Sequence, residues 1–162
     1  MEKINLKLTI SSLFIFCCLG ISSAQSFNGD KTVFSNFVKR MYSSSPFEGV
    51  KIIDDYDHQY LISIVSLEKA KYTSESTMNR VAQVKAQSQA NTFLNGAAIS
   101  MDMVITTKES KDSTNNLQTI VETVEQIKQN SSGFTQGLEL LTIFDNIDNK
   151  RLVYIYIREI TK

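Results

Sequence analysis

The sequence lacks several residue types on which enzymes and secreted domains commonly depend. It has no tryptophan, a single proline and a single histidine, His58, in 162 residues. A serine nucleophile needs a basic partner, and His58 is the only imidazole available to it. No Gly-x-Ser-x-Gly elbow and no glycine-rich phosphate loop occurs in the chain. The composition therefore indicates no catalytic signature and no cofactor.

An excess of charge of one sign is also missing. Lysine and arginine total 17, aspartate and glutamate total 17, and the formal net charge is zero. Proteins that bind nucleic acid or an anionic membrane commonly carry an excess of positive charge, and this chain has none, so its net charge gives no reason to predict such binding. With 42% hydrophobic and 21% charged residues, the chain is neither a disordered polypeptide nor a polytopic membrane protein. The length favours one folded domain.

The N-terminal segment has the layout of a secretory signal peptide. Two lysines flank its start, an apolar stretch follows over 8–20, and Ser22 and Ala24 supply the small residues that signal peptidase requires. The alternative is an uncleaved membrane anchor, but the apolar stretch is shorter than the roughly 20 residues that a spanning helix needs. We therefore predict a leader over 1–24, a single domain over 25–162, and a periplasmic or extracellular location.

Both cysteines, Cys17 and Cys18, lie within this predicted leader. Neither follows the leucine and small residue that a bacterial lipoprotein signal requires, so we predict no lipid anchor. Removal of the leader also removes two lysines and one glutamate, which leaves a domain with a net charge of −1 and no thiol. Disulfides, thiolate metal sites and a cysteine nucleophile are thereby excluded from the mature domain.

Hydrophobic periodicity predicts an α+β fold in which helices pack on an antiparallel or mixed sheet of about five strands, in the order α-β-β-α-β-(α)-β-β. Helices are predicted over 31–42, from caps at 74–77 to residue 95, and over 117–129, where the first half could instead be a strand. Strands are predicted over 50–53, 58–67, 98–107, 138–144 and 151–160. The second strand is nearly continuous in apolar residues, which is typical of a strand covered on both faces.

Some finer predictions concern single elements. One row of small side chains lets the long helix approach the sheet closely: Ala82, Ala86 and Ala90. The polar face of the same helix, which includes Asn79 and Arg80, is interpreted as solvated. In the strand over 98–107, alternate residues share one buried face: Ile99, Met101, Met103 and Ile105. The segment between Gly133 and Gly137 is interpreted as flexible backbone at the start of the next strand.

The first candidate for chemistry is the acidic segment at the only histidine, which contains Asp54, Asp55, Asp57 and His58. One interpretation is a metal site or a general base, since imidazole and carboxylate groups are common ligands and proton acceptors. The other is a polar β-turn in which aspartate side chains cap nearby amides. Because the chain has no second histidine and no paired ligand at recognisable spacing, we favour the turn and predict no metal site.

The second candidate is a row on one face of the last predicted strand, formed by Tyr154, Tyr156 and Arg158. Tyrosine and arginine are enriched where proteins contact proteins, so the row could be a partner contact. Tyrosine is also an ordinary strand residue, and the row could instead be a second buried face of the sheet. The sequence favours neither interpretation.

From about residue 58 to 160, the layout resembles small bacterial envelope domains of the LPP20-like and flagellar-accessory lipoprotein group. The matching features are the apolar strand over 60–67, the helix with its alanine row, the alternating strand over 99–105, and a closing hairpin that contains Val153 and Tyr154. The resemblance implies a non-catalytic envelope component, with no family site to transfer to a residue here. The missing lipoprotein cysteine departs from the family pattern.

These observations lead to one expected function and one alternative. The expected function is an exported, non-catalytic domain that binds a protein or a cell-envelope component through a sheet edge or the tyrosine row. It uses no cofactor, binds no nucleic acid and keeps no transmembrane segment after cleavage. The alternative is a secreted carboxylate-dependent hydrolase that uses the region of Asp54, Asp57 and His58. Convergence of these three side chains in a concave pocket would favour the enzyme.

Overall fold

The computed structural model describes residues 31–55, 58–96, 103–106, 121–122, 124–125, 127 and 131–160. Within these ranges the chain forms helices and one five-stranded mixed sheet, which confirms the predicted α+β class. No helix in the described ranges is long and apolar enough to cross a membrane. The predicted leader over 1–24 and the candidate residue Asp57 lie outside the described residues.

The elements with definite bounds follow the predicted order closely. The helices are α1 over Lys31–Ser44, α2 over Glu75–Gly96 and a short α3 over Ser131–Gln136. The strands are β1 over Gly49–Asp55, β2 over His58–Glu68, β3 over Val104–Thr106, β4 over Glu139–Asp145 and β5 over Arg151–Ile160. A 3₁₀ turn over Lys69–Lys71 follows β2.

The sheet order is β3-β1-β2-β5-β4, which places β2 at the centre and β4 at one edge. Strands β1, β2, β5 and β4 pair antiparallel in succession, whereas β3 pairs parallel with β1. Both predicted hairpins are therefore confirmed, as β1–β2 and β4–β5. Residues 61–67 of β2 are buried without interruption, as expected for a central strand that is covered on both faces.

Helix α1 covers one face of the sheet, the α1 face. Its buried side chains Phe34, Val38 and Tyr42 recur every four residues and so form one stripe along the helix. This stripe shares a core with Ile62 of β2 and several other strand residues. The helix ends shortly before Pro46, which has no backbone N–H to continue the ladder.

Helix α2 covers the other face, the α2 face. The predicted row of small side chains is fully buried, which confirms it: Ala82, Ala86 and Ala90. Because the row lacks bulk, the helix backbone lies close to β2, and the Ser63 hydroxyl donates a 3.2 Å hydrogen bond to the backbone carbonyl of Ala86. At the N-terminus of α2, the Ser74 hydroxyl accepts a hydrogen bond from the backbone N–H of Thr77, as an N-cap does.

Two of the finer predictions are wrong. Met103 lies in a 3₁₀ turn and packs into the α2-face core, whereas Ile105 packs into the α1-face core. The two side chains do not share a face because regular strand structure begins only at Val104. The glycine segment does not start a strand either, since Gly133 lies inside α3 and Gly137 lies in the turn after it.

The predicted segments over 98–107 and 117–129 are described only in part. The residues of the second segment that the structure describes are helical, which agrees with the helical interpretation: Val121, Glu122, Val124, Glu125 and Ile127. Val124 is fully buried in the α2-face core. Ile99 and Met101, and residues 117–120, lie outside the described residues.

Candidate functional site

Asp54 and His58, two members of the first candidate site, lie on opposite faces of the sheet. In the β1–β2 ladder, Asp54 pairs with Gln59, and Asp55 pairs with His58. Side chains alternate between faces along a strand, so Asp54 points to the α2 face while Asp55 and His58 point to the α1 face. The sheet separates the Asp54 carboxylate from the imidazole, so these two groups do not converge in one pocket.

On the α1 face, His58 pairs with a carboxylate near the end of β5. Its Nδ1 lies 2.5 Å from Oε1 of Glu159, and its ring stacks on Tyr60 with the centroids 6.2 Å apart. Burial, and then the negative charges of Glu159 and Asp55, raise the pKa of the Tyr60 hydroxyl. In the part of the chain that the structure describes, no three His, Cys, Asp or Glu side chains are arranged to hold a metal ion. The pair orients the imidazole without forming a recognisable metal site.

On the α2 face, Asp54 and Gln59 form a buried polar pair. Their exposed fractions are 4% and 2%, and Nε2 of Gln59 lies 3.5 Å from Oδ1 of Asp54. The amide oxygen of Gln59 has no hydrogen-bond partner within the described residues. Because neither side chain reaches solvent, this pair presents no accessible group to a substrate.

The tyrosine row is a buried face of the sheet, which corrects its interpretation as an exposed partner contact. Tyr154 is fully buried and Tyr156 is 5% exposed, because both rings belong to the core beneath α2. The Tyr154 hydroxyl donates a 2.9 Å hydrogen bond to Oδ1 of Asn79, and the Tyr156 hydroxyl lies 3.5 Å from the Asn79 backbone carbonyl oxygen. Burial raises the pKa of both phenols.

Arg158, the third member of the row, is bound to α3. Its Nη1 donates hydrogen bonds to the backbone carbonyl oxygens of Gly133 and Phe134, and its Cζ lies 4.4 Å from the centroid of the Phe134 ring. The side chain also lies so close to Gly137 that a β-carbon there would overlap the guanidinium. Arg158 therefore caps the short helix through Nη1.

A third candidate, which no motif in the sequence marks, is the outer side of β4. This strand is the last in the sheet order, and no other described strand pairs with its outer side. Leu140, in the first half of β4, is 46% exposed. An edge strand presents unpaired backbone N–H and C=O groups to any extended chain that approaches it.

A groove, the α2–β4 groove, runs beside this edge on the α2 face. Its first part is a cleft of about 530 Å³ whose floor is formed by Leu138, Leu140 and Tyr156. Polar side chains of α2 form the wall of this cleft: Glu75, Ser76, Asn79, Arg80 and Gln83. The hydrogen bond between Tyr154 and Asn79 therefore joins the wall of the groove to the sheet.

The second part of the groove is a cleft of about 400 Å³ that shares Glu75 with the first. It extends past Met78 and Leu152 to Lys69 and Asp145 at the far end of β4. Of the β4 residues, Leu140 lines the first cleft and Asp145 lines the second. Both clefts are open, which suits an extended polypeptide better than a compact small molecule.

Sequence reasoning missed this groove because sheet order decides where it forms. The polar residues of α2 have the pattern of a solvated helix face, and only the position of β4 beside β5 turns part of that face into a wall. One local signal is present: Glu139 and Asp145 place a charge at each end of a short strand, as edge strands commonly do.

No protein-family profile, no curated protein and no solved structure matches this chain. The resemblance to bacterial envelope domains therefore stays a prediction. Any assignment of function depends on the contacts and exposed surfaces described above.

Proposed function

We propose that this protein is an exported, non-catalytic domain that binds an extended segment of a partner protein along β4. The observation that supports the proposal most directly is the outer side of β4, beside the α2–β4 groove, with which no other strand in the described part of the chain pairs. A segment that adds to this edge as a further strand forms main-chain hydrogen bonds with β4. Every second side chain of that strand points to the α2 face and enters the groove.

Leu140 supplies the apolar part of the proposed contact. Nearly half of its surface is exposed, and it lies beside the buried Leu138 and Tyr156 in the groove floor. Covering apolar surface contributes roughly 25 cal/mol per Å² to the free energy of binding. An aliphatic side chain that covers Leu140 therefore adds to the main-chain hydrogen bonds, each of which contributes about 0.5–1.5 kcal/mol net. A partner segment with an aliphatic side chain over Leu140 therefore binds better than a wholly polar one.

Features of β4 disfavour indiscriminate pairing with a second copy of the chain. Glu139 and Asp145 are exposed carboxylate residues at its two ends. The register with β5 shifts between Leu140 and Thr142, which leaves Leu141 without a partner residue. Charges and bulges of this kind protect edge strands from edge-to-edge aggregation. They favour a specific partner segment over self-association.

The proposal is tested by selecting peptides from a random displayed library on the purified chain and mapping their contacts by NMR. We expect the amide signals of β4 and of residues 75–83 to shift when a selected peptide binds, because these residues border the groove. Failure to select any binder, or shifts confined to other surfaces, would contradict strand addition at β4.

A matched pair of variants locates the contact. Leu140→Lys replaces the exposed aliphatic side chain in the groove floor and should weaken binding about tenfold, which corresponds to roughly 1.4 kcal/mol. Val84→Lys makes the same kind of change at a side chain of α2 that is 66% exposed and does not line the groove. Binding to Val84→Lys should equal that of the wild type. Equal binding to both variants would show that the groove floor is not the contact.

A further inference from the structure

We infer that this protein forms a weak two-fold dimer in which Ile147 of each copy enters an apolar cavity beside Ile147 of the other copy. Ile147 lies in the turn between β4 and β5 and is 86% exposed. The contact involves this turn and the end of α1 rather than the α2–β4 groove. It therefore goes beyond the proposed binding of a partner segment along β4.

The cavity, called the turn cavity, lies between the C-terminal end of α1 and the β4–β5 turn. It has a volume of about 170 Å³, and the apolar side chains that line it are Tyr42, Pro46, Phe144 and Ile147 itself. The rings of Tyr42 and Phe144 meet edge to face with their centroids 5.6 Å apart. Because an apolar cavity of about 150 Å³ holds benzene, the turn cavity has room for one aliphatic side chain.

Hydrogen bonds fix the turn that presents Ile147. The backbone N–H of Asn149 donates to the carbonyl oxygen of Asn146 at 3.0 Å. Asn146 also accepts the backbone N–H of Arg151 at its Oδ1, and its own N–H donates to the carbonyl oxygen of Arg151. A side chain on such a fixed backbone loses little freedom when a partner covers it, which lowers the cost of association.

The position of Ile147 at the border of the turn cavity favours a second copy of the chain as the partner. A two-fold interface pairs the same surface of both copies, so the inserted residue and its receiving cavity must lie on one patch. Because Ile147 lines its own turn cavity, a single interface holds both exchanged side chains next to each other. A cavity elsewhere on the molecule would instead join copies into an open chain.

The charges beside the turn cavity and beside Ile147 are complementary. The Lys39 ammonium lies 5.7 Å from the centroid of the Phe144 ring, which lines the cavity. Asp148 follows Ile147 directly and is exposed. Neither Lys39 nor Asp148 forms an ion pair with another described residue. When Ile147 of one copy enters the other copy, its neighbour Asp148 approaches Lys39 of that other copy.

Sedimentation equilibrium of the purified chain over a wide range of concentrations tests the dimer. The contact patch is small, so we expect a weak monomer–dimer equilibrium, as is typical of interfaces below about 1,200 Å². Ile147→Asn should weaken the dimer about tenfold or more, because both copies lose the inserted side chain. Its circular dichroism spectrum should equal that of the wild type, since Ile147 is exposed.

Two control variants locate the contact. Val84→Asn changes an exposed aliphatic residue of α2 and should dimerise as the wild type does. Leu140→Lys changes the exposed aliphatic residue of β4 and should also dimerise normally, which separates this contact from edge-to-edge pairing of β4. Loss of the dimer in Leu140→Lys alone would place the self-association at β4 and contradict the inference.

A charge exchange between two variants tests whether the partner is a second copy. Asp148→Lys and Lys39→Glu each bring like charges together at the contact, so each variant alone should dimerise more weakly than the wild type. In a mixture of the two, both contacts of a heterodimer join opposite charges, and heterodimers should form preferentially. Sedimentation with one variant fluorescently labelled measures this preference. The hydrogen bonds between Asn146 and Arg151 hold the turn in both variants.

Three results would overturn the inference: a chain that is monomeric at every concentration, equal association of the wild type and Ile147→Asn, or no preference for heterodimers in the mixture. A monomeric chain whose NMR signals at Tyr42 and Phe144 shift only when a selected peptide is added would show that a different partner fills the turn cavity. None of these results bears on strand addition at β4, which is judged by the signals of β4 itself.

Discussion

The Tyr154 hydroxyl of β5 donates a 2.9 Å hydrogen bond to the side-chain oxygen of Asn79 on α2. Two residues later, the Tyr156 hydroxyl lies 3.5 Å from the backbone carbonyl oxygen of the same Asn79. Both rings are buried, so each hydroxyl is a polar group that needs a partner. These contacts hold the wall of the α2–β4 groove in place over its floor.

The first prediction compares the two hydroxyls. Tyr154→Phe should lower the free energy of unfolding by about 0.5–1.5 kcal/mol, because it removes a well-formed hydrogen bond. Tyr156→Phe should cost less, since its hydroxyl lies at the distance limit of a hydrogen bond. Equilibrium denaturation in guanidinium chloride measures both changes. A larger loss for Tyr156→Phe would show that the second contact matters more.

The second prediction concerns the close approach of α2 to the sheet. Ala86→Leu should destabilise the protein by roughly 1–3 kcal/mol, because Ala86 is fully buried and its carbonyl accepts a hydrogen bond from Ser63. Val84→Leu changes an exposed residue of the same helix and is the matched control. In thermal unfolding, the melting temperature of Ala86→Leu should be clearly lower than that of Val84→Leu. Equal melting temperatures would mean that the helix can move away from the sheet at little cost.

The third prediction is a coupling between Gly137 and Arg158. A β-carbon at Gly137 would overlap the guanidinium that binds the Gly133 and Phe134 carbonyls, so Gly137→Ala should displace Arg158 and lose those bonds. In an Arg158→Ala background, the same substitution should cost much less. A double-mutant cycle should show a coupling free energy of about 0.5–3 kcal/mol. Strictly additive effects would indicate that the two residues do not interact.

The fourth prediction concerns alkaline pH. Burial raises the pKa of Tyr154 and Tyr156 above the ordinary value of 10.0. Above about pH 10 the folded state therefore holds more protons than the unfolded state, and stability decreases as the pH rises further. Below about pH 10 this contribution is fully present. Denaturation series at increasing pH should show the decline.

A double variant serves as the control for this pH dependence. Tyr154→Phe with Tyr156→Phe lacks both titrating hydroxyls, so its stability should decline less steeply above about pH 10. Tyr60, whose pKa is also raised by burial and by nearby carboxylates, remains in both proteins and contributes equally. Parallel stability curves for the wild type and the double variant would contradict the assignment to Tyr154 and Tyr156.

The fifth prediction concerns export. If the first 24 residues are a cleaved leader, N-terminal sequencing of the exported protein should begin at Gln25. Ala24→Asp should block cleavage because the peptidase requires a small residue there, whereas Ser23→Asp, at a position that it does not inspect, should be processed. Recovery of an uncleaved wild-type chain would contradict the predicted leader.

Local periodicity was sufficient to predict most of the elements. The four-residue recurrence of Phe34, Val38 and Tyr42 marks the buried stripe of α1, and the alanine row marks the buried stripe of α2. Such patterns are visible in sequence because a helix that packs on a sheet must bury one continuous side. The α3 helix escaped prediction because its contacts with Arg158 and α2 come from residues distant in the chain.

The sequence was less able to predict which face of the sheet each candidate site residue occupies. Asp54 and His58 are close in sequence, yet the β1–β2 register puts them on opposite faces of the sheet. The pattern of Tyr154, Tyr156 and Arg158 predicts a shared face but cannot distinguish a buried face from an exposed one. That choice depends on which helix crosses above the strand, and α2 is separated from β5 by more than fifty residues.

The sequence by itself determined the class of the fold, because alternation and helical spacing are imposed by local backbone geometry and the need to bury apolar side chains. Only the tertiary structure decided that β4 lies at the edge, that α2 covers the tyrosines, and that Glu75 and Arg80 border an open groove. These relationships depend on strand order and on packing between distant segments, and no short stretch of residues encodes either one.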